Sequence, residues 1–133
     1  MDELTKEQKQ EILDSLGQTV IRVVRDSPLR ISMDIATGVI INPVKRKQYE
    51  ALSNLSEPQK ESVCDLLSET ITDVIFNFMG IFEENRDKMK FIIIKDGQEY
   101  NMLDISEKMG SEIACYEDEG WIKRFSSIGR FVL

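Results

Sequence analysis

The longest amphipathic stretch of the chain reads SEPQKESVCDLLSETITDVIFNFMGIFEEN, at residues 56–85. Ser56 precedes Pro58 in the first turn and Gln59 at the third helical position, a capping-box arrangement that predicts a helix start. Apolar side chains then recur every three or four residues, which predicts one buried stripe along an α-helix. The predicted stripe comprises Val63, Leu66, Leu67, Ile71, Val74, Ile75, Phe78, Met79 and Phe82, and the predicted solvent-facing side comprises Asp65, Glu69, Asp73 and Asn77. We expect this helix to bury more surface than any other segment.

The composition is that of a globular protein with an acidic balance. The chain has 133 residues, of which 41% are hydrophobic and 31% are charged, so we expect a single domain over residues 1–133. Asp and Glu total 24 against 17 Lys and Arg, which gives a net charge of -7. This charge disfavours a nucleic-acid partner, because nucleic acid binds basic surfaces. A basic protein partner suits it better, and the alternative is that the acidity only keeps the protein soluble.

The sequence contains no segment typical of export or membrane insertion. Residues 1–10 are polar and charged, without the apolar core of a signal peptide. No run approaches the roughly 20 apolar residues that a membrane-spanning helix needs. We therefore expect a cytoplasmic protein that does not contact membranes, with Cys64 and Cys115 as reduced thiols.

The N-terminal segment predicts another helix. Thr5 and Gln8 match a second capping box, and an apolar face follows over about residues 6–26. Gly17 lies inside this helix, where it weakens the backbone, and we interpret it as a site of close packing against another helix. Pro28 is expected to end the segment, because the residue before a proline avoids the helical region.

Residues 29–42 are compatible with two structures. Apolar and polar residues alternate over part of this segment, which favours a strand in a short hairpin, and a helix with a frayed end is the alternative. Asn42 before Pro43 then predicts the start of a helix over about residues 44–52. Its basic triplet at residues 45–47 is interpreted as a solvated helix face.

A β-hairpin is predicted after the long helix. The run at residues 91–94 is rich in β-branched side chains and typical of a strand. Asp96 and Gly97 follow, a strong turn signal because both central residues of a type I′ turn need positive φ. Residues 98–102 form the predicted return strand, and the hairpin must pack on helices or join a strand from residues 29–41.

Short helical elements are predicted towards the C-terminus. Asp104 or Ser106 is expected to cap a helix that runs through Met109 and ends at Gly110. The predicted fold class is therefore α+β, mainly helical, with a long central helix packed on a small antiparallel sheet or hairpin.

The sequence lacks residue types that most catalytic sites require. It contains no histidine, so neither a Ser-His-Asp nor a Cys-His arrangement can be built from it. It also contains no Gly-rich phosphate-binding loop. The acidic run at residues 117–119 lacks the alternating oxygen ligands of an EF-hand, and a Cys115 thiolate beside it is disfavoured by like charge. We predict a protein without catalytic activity, cofactor or bound metal ion.

The C-terminal third carries a recognisable pattern, MGSEI at residues 109–113 and YEDEGWIKRFS at residues 116–126. This pattern resembles the C-terminal part of small bacterial proteins of toxin systems, in which a long helix precedes a hairpin and the chain closes on Gly-Trp-Ile-x-x-Phe-Ser. The resemblance implies an immunity protein, which binds and neutralises a toxin domain. An apolar helical turn at Trp121, Ile122 and Phe125 is interpreted as filling the core, whatever the function.

Two functions are compatible with these observations. The first is a cytoplasmic immunity protein whose partner is a protein toxin, expected to be a basic nuclease that an acidic surface would cover. Its candidate contacts are the acidic residues Glu112, Glu117, Asp118 and Glu119. The alternative is a non-catalytic regulatory or scaffold module that binds a partner strand along residues 92–94.

Overall fold

The computed structural model of the protein describes residues 3–38, 42–113 and 120–128. It begins with a continuous helical segment in three parts: helix α1 at Lys6–Thr19, a π-helical stretch at Val20–Asp26, and helix α2 at Ser27–Thr37. The predicted capping box at the start of α1 is confirmed, because Thr5 Oγ1 accepts from the Gln8 backbone at 3.1 Å and Gln8 Oε1 accepts from the Thr5 backbone at 2.8 Å.

Pro28 does not end the first helical segment, so that prediction is wrong. Ser27 keeps helical backbone angles, and Pro28 lies in the first turn of α2, where a missing N–H costs little. The strand interpretation of residues 29–37 is also wrong, because they continue α2, so the helical alternative is correct through Thr37; residues 39–41 lie outside the described residues. Gly38 ends α2 with a φ of 79°, a left-handed conformation that glycine adopts without strain.

Helix α3, at Arg46–Ser53, starts two residues later than predicted. Asn42 is still part of the helix entry, because its Oδ1 accepts from the Val44 backbone N–H at 3.0 Å. The basic triplet at residues 45–47 is exposed, as the interpretation of a solvated face requires.

The long helix is confirmed almost residue for residue. Helix α4 spans Glu57–Glu84, and Ser56 and Gln59 form the predicted capping box at its start. At 1.5 Å per residue, its 28 residues extend over about 42 Å. The predicted stripe is only partly correct, because Leu66, Val74 and Phe78 are exposed. Ile75 and Met79 are buried as predicted, and the other buried positions of α4 are Cys64, Ser68 and Thr72.

The predicted hairpin is present as strands β1 at Ile92–Lys95 and β2 at Gln98–Asn101. They pair antiparallel with Ile93 opposite Tyr100, and the turn residues Asp96 and Gly97 have φ of 52° and 77°. Among the described residues no third strand joins this sheet, so of the two predicted arrangements the hairpin packs on helices and does not pair with the described part of residues 29–41.

Three short helices close the described chain: α5 at Met102–Ile105, α6 at Met109–Ile113 and α7 at Trp121–Phe125. The helix predicted to end at Gly110 is misplaced. Asn101 caps α5 through its Oδ1, whereas Ser106 ends that helix and Gly110 lies inside α6.

The core is built where the first helical segment, α4 and the short helices meet. Its buried side chains are Ile12, Leu13, Val20, Ile21, Ile75, Met79, Met102, Leu103, Met109, Ile113, Trp121 and Ile122. The inner face of the hairpin packs against this cluster through Ile93 and Tyr100. The architecture is thus mainly helical α+β, with a long helix and a small antiparallel sheet around one cluster.

Candidate partner-binding surface

The C-terminal Gly-Trp-Ile-x-x-Phe-Ser motif lies in the core. Trp121 and Ile122 begin α7 and are almost fully buried, and Phe125 packs against the same cluster. The indole of Trp121 lies so close to α1 that a Cβ on Gly17 would be 2.6 Å from its Cδ1 and Nε1 atoms. The interpretations of Gly17 as a close-packing site and of the motif as core-filling are therefore confirmed.

A buried polar cluster links the π-helical stretch to α4. Arg25 is fully buried, and its guanidinium donates to Asp26 Oδ1 at 2.7 Å and to Ser68 Oγ at 2.9 Å. Its Nε donates to Thr72 Oγ1 at 3.3 Å. Ser68 and Thr72, one turn apart on the buried side of α4, accept these hydrogen bonds, which explains why polar residues occupy buried positions there.

The same cluster holds the end of the C-terminal motif. Asp26 accepts from Ser126 Oγ at 2.8 Å and from the Ser127 backbone N–H at 2.8 Å. Ser126 Oγ also accepts from Arg25 Nη1 at 3.1 Å. The motif therefore ends in a serine because its hydroxyl bridges a buried ion pair, which is a structural role.

The electrostatics of the cluster follow from its burial. Burial lowers the pKa of the Arg25 guanidinium, whereas the hydrogen bond and the negative charge of Asp26 raise it. Removal of one partner from such a pair leaves an uncompensated buried charge. The cluster therefore connects the π-helical stretch to α4 and to the end of the C-terminal motif, and we expect it to stabilise the fold. Its charged groups are buried and do not form part of a binding surface.

The structure describes one of the four predicted contact residues. Glu112 lies half-buried in α6, and its Oε1 accepts from Ser106 Oγ at 3.1 Å. Glu117, Asp118 and Glu119 lie outside the described residues. A contact role for all four stays a prediction.

The outer edge of β1 pairs with no other strand within the described residues. Lys95 and Gln98 flank a two-residue turn and face each other as a hydrogen-bonded pair, so the backbone polar groups of Ile92 and Ile94 point away from β2. Between this edge and α1 lies a groove of about 390 Å³, which an ion pair from Lys95 Nζ to Glu11 Oε1 at 3.1 Å crosses. Ile92 and Ile94 are exposed, and pairing of this edge with a partner strand stays a prediction.

Helix α4 carries a row of carboxylates at i, i+4 spacing, which we call the acidic row: Glu61, Asp65, Glu69 and Asp73. Asp65 is half-buried and the other three are exposed, and Glu61 and Asp65 interact with other groups of the chain. Like charges one turn apart destabilise a helix slightly, so the spacing of these carboxylates does not by itself stabilise α4. The sequence supplies no lysine or arginine between Glu61 and Asn85. Glu69 and Asp73 form no hydrogen bond or ion pair with the residues that the structure describes.

A second row runs beside the first and is largely apolar. We call it the apolar row, and it comprises Leu66, Thr70, Val74 and Phe78. Leu66 is 62% exposed, Val74 61% and Phe78 52%, so three large apolar side chains face solvent along one side of the helix. Each of Leu66 and Thr70 lies three residues before a member of the acidic row, which makes the two rows neighbours on the helix surface.

Ring contacts hold the end of the apolar row in place. Phe78 meets Phe82 edge to face at a centroid distance of 5.6 Å, and Phe82 meets Phe91 in the same way at 5.3 Å. Phe91 packs against the core. The exposed Phe78 ring is therefore supported by two others, which limits the entropy it would lose on binding.

The helical periodicity assigned Leu66, Val74 and Phe78 to the buried stripe, so the apolar row was not predicted. A signal was available, since Leu66 follows Asp65 directly and lies three residues before Glu69, amid the predicted solvent-facing residues. A strict helical wheel would have placed Leu66 opposite Ile75 and Met79.

Within residues 3–38, 42–113 and 120–128, no group of three or more Cys, Asp and Glu side chains is arranged to hold a metal ion. None of the helices in that part of the chain combines the length and apolarity needed to cross a bilayer. Comparisons with models of protein families, with curated proteins and with solved structures each found no match.

Proposed function

We propose that this protein is a cytoplasmic immunity protein that binds a toxin domain, with a basic nuclease as the partner class, and neutralises it without catalysis. The observation that carries the proposal is the net charge of -7, which favours encounter with a basic protein. The resemblance of the C-terminal pattern to small proteins of bacterial toxin systems supplies the biological context. Neutralisation by binding needs a surface and no catalytic group, in keeping with a sequence that lacks histidine.

The structure supports this proposal because the C-terminal motif is buried in the core, whereas acidic and apolar side chains of α4 are exposed. The C-terminal motif fills the core and is fastened by Arg25 and Asp26, so it holds the fold together. The surface carries charged and exposed apolar side chains, and the acidic row lies on α4. A partner would then meet acidic side chains while the recognisable motif stays buried.

The proposal is tested with the gene next to this one, which should encode a large secreted protein with a variable C-terminal domain. That domain is produced as an inactive variant and mixed with the full chain on a gel-filtration column. A complex of defined stoichiometry, together with inhibition of the active domain in a nuclease assay, is the expected result. Separate elution and undiminished nuclease activity would refute the proposal.

The edge of β1, which pairs with no third strand among the described residues, favours a second candidate, a non-catalytic regulatory or scaffold module that binds through strand addition. Ile94 is 70% exposed on the edge of β1 whose backbone groups point away from β2. If this were the function, Ile94→Lys should abolish association with a partner or with a second copy. A chain that stays monomeric at high concentration and keeps its partner with Ile94→Lys would exclude this candidate.

A further inference from the structure

We propose that the outer side of α4, formed by the acidic row and the apolar row, is the surface that docks the toxin domain. The inference rests on the proposed function and specifies where the partner binds. Its occupant is a basic protein surface in which lysine and arginine side chains border an apolar patch. The two rows present the complementary arrangement, carboxylates along one line and Leu66, Val74 and Phe78 along the next.

Charge complementarity identifies the occupant. The 25 residues from Glu61 to Asn85 include six acidic and no basic side chains, so α4 contributes most of the net charge of -7. Glu69 and Asp73 have no partner among the described residues and are available for a lysine or arginine of another protein. An acidic or neutral partner would leave these carboxylates desolvated and unpaired, which disfavours it.

The apolar row adds exposed hydrophobic surface, which an acidic patch alone does not provide. Three apolar side chains that are more than half exposed on one helix face mark an interaction site more specifically than scattered ones. The row extends from Leu66 to Phe78, about 18 Å along the helix axis. Phe78 is braced by Phe82, so the surface is ordered before a partner arrives.

The two rows should act on different rate constants. Carboxylates steer the encounter and raise the association rate, in a manner that salt screens. Buried apolar contacts act mainly on dissociation. Amide variants of the acidic row and alanine variants of the apolar row therefore give separable effects.

The experiment measures association and dissociation of the full chain with the inactive C-terminal domain encoded by the neighbouring gene, at about 0.05 M and about 0.5 M salt, which spans a large change in screening length. Leu66→Ala with Phe78→Ala should raise the dissociation rate about tenfold or more. Glu69→Gln with Asp73→Asn should lower the association rate at low salt about twofold to tenfold and flatten its salt dependence. These side chains are exposed, so the variants should keep the wild-type circular dichroism spectrum.

Matched controls lie elsewhere on the surface. Val44→Ala removes an apolar side chain that is 92% exposed, and Glu99→Gln removes a carboxylate on β2. Both should leave the two rate constants unchanged.

The outcomes separate the two proposals. If the wild-type chain binds the domain and the two double variants change the rate constants as described, the docking surface is supported. If the wild-type chain binds and neither double variant changes a rate constant, the docking surface is overturned and the immunity function still stands. A wild-type chain that does not bind the domain overturns both.

Discussion

Replacement of Asp26 by asparagine is the perturbation whose effect the structure defines most closely. The Asp26 carboxylate is buried, pairs with Arg25 at 2.7 Å and accepts hydrogen bonds from Ser126 and Ser127. The substitution would keep the shape of the side chain and remove its charge. Arg25, which is fully buried, would then be a guanidinium without this counterion.

The expected loss of folding stability is large because Arg25 and Asp26 are buried. Breaking a buried ion pair by removing one partner typically costs about 3–5 kcal/mol, against a total stability of about 5–15 kcal/mol for a domain of this kind. The asparagine amide also turns a donor towards groups that donate to Asp26, so the loss should fall at the upper part of that range. Ser126→Ala removes one bridging hydroxyl and should cost about 1–3 kcal/mol.

Urea unfolding followed by Trp121 fluorescence measures these differences, since this is the single tryptophan of the chain. Asp73→Asn serves as the control, because Asp73 is exposed and such changes usually lie within about 0.5 kcal/mol. An Asp26→Asn variant that unfolds within about 1 kcal/mol of the wild type would refute the view that the cluster fastens the fold.

Two further predictions follow from the same structure. Gly17→Ala should destabilise the protein by about 1–3 kcal/mol, since a Cβ there would overlap the Trp121 indole, whereas Gly80→Ala, with no atom within 4 Å of its Cβ, should be neutral or raise the melting temperature. Thermal unfolding of both variants checks this, and equal destabilisation would contradict it. Conversion of Glu117, Asp118 and Glu119 to their amides should slow toxin association as high salt does, while the melting temperature stays nearly constant. Stopped-flow association at two salt concentrations measures the effect, and a wild-type rate would remove these residues from the interface.

The helix ends and the hairpin could be predicted because their signals are local. A capping box at Ser56 and an Asp96-Gly97 turn depend on neighbouring residues only, and both are present. The structure of residues 29–37 was harder to predict from the sequence. Alternation of apolar and polar residues over a few positions fits a strand, whereas the preceding π-helical stretch continues into α2 across Pro28. That continuation depends on hydrogen bonding that no local pattern specifies.

The buried side of α4 could not be predicted because it depends on a distant residue. Ser68 and Thr72 are buried through their bonds to Arg25, which lies more than 40 positions earlier in the chain. Once these polar residues occupy the inner face, Leu66, Val74 and Phe78 are turned towards solvent. Hydrophobicity alone assigns them to the core, so the exposure of the apolar row could not be predicted from the sequence.

The central claim, neutralisation of a toxin domain by binding, is tested most directly by the growth of cells that produce the active C-terminal domain encoded beside this gene. Co-expression of the wild-type chain should restore growth. Co-expression of the chain with Leu66→Ala and Phe78→Ala should restore it less well at equal protein levels. Growth arrest that persists with the wild-type chain present would contradict the account.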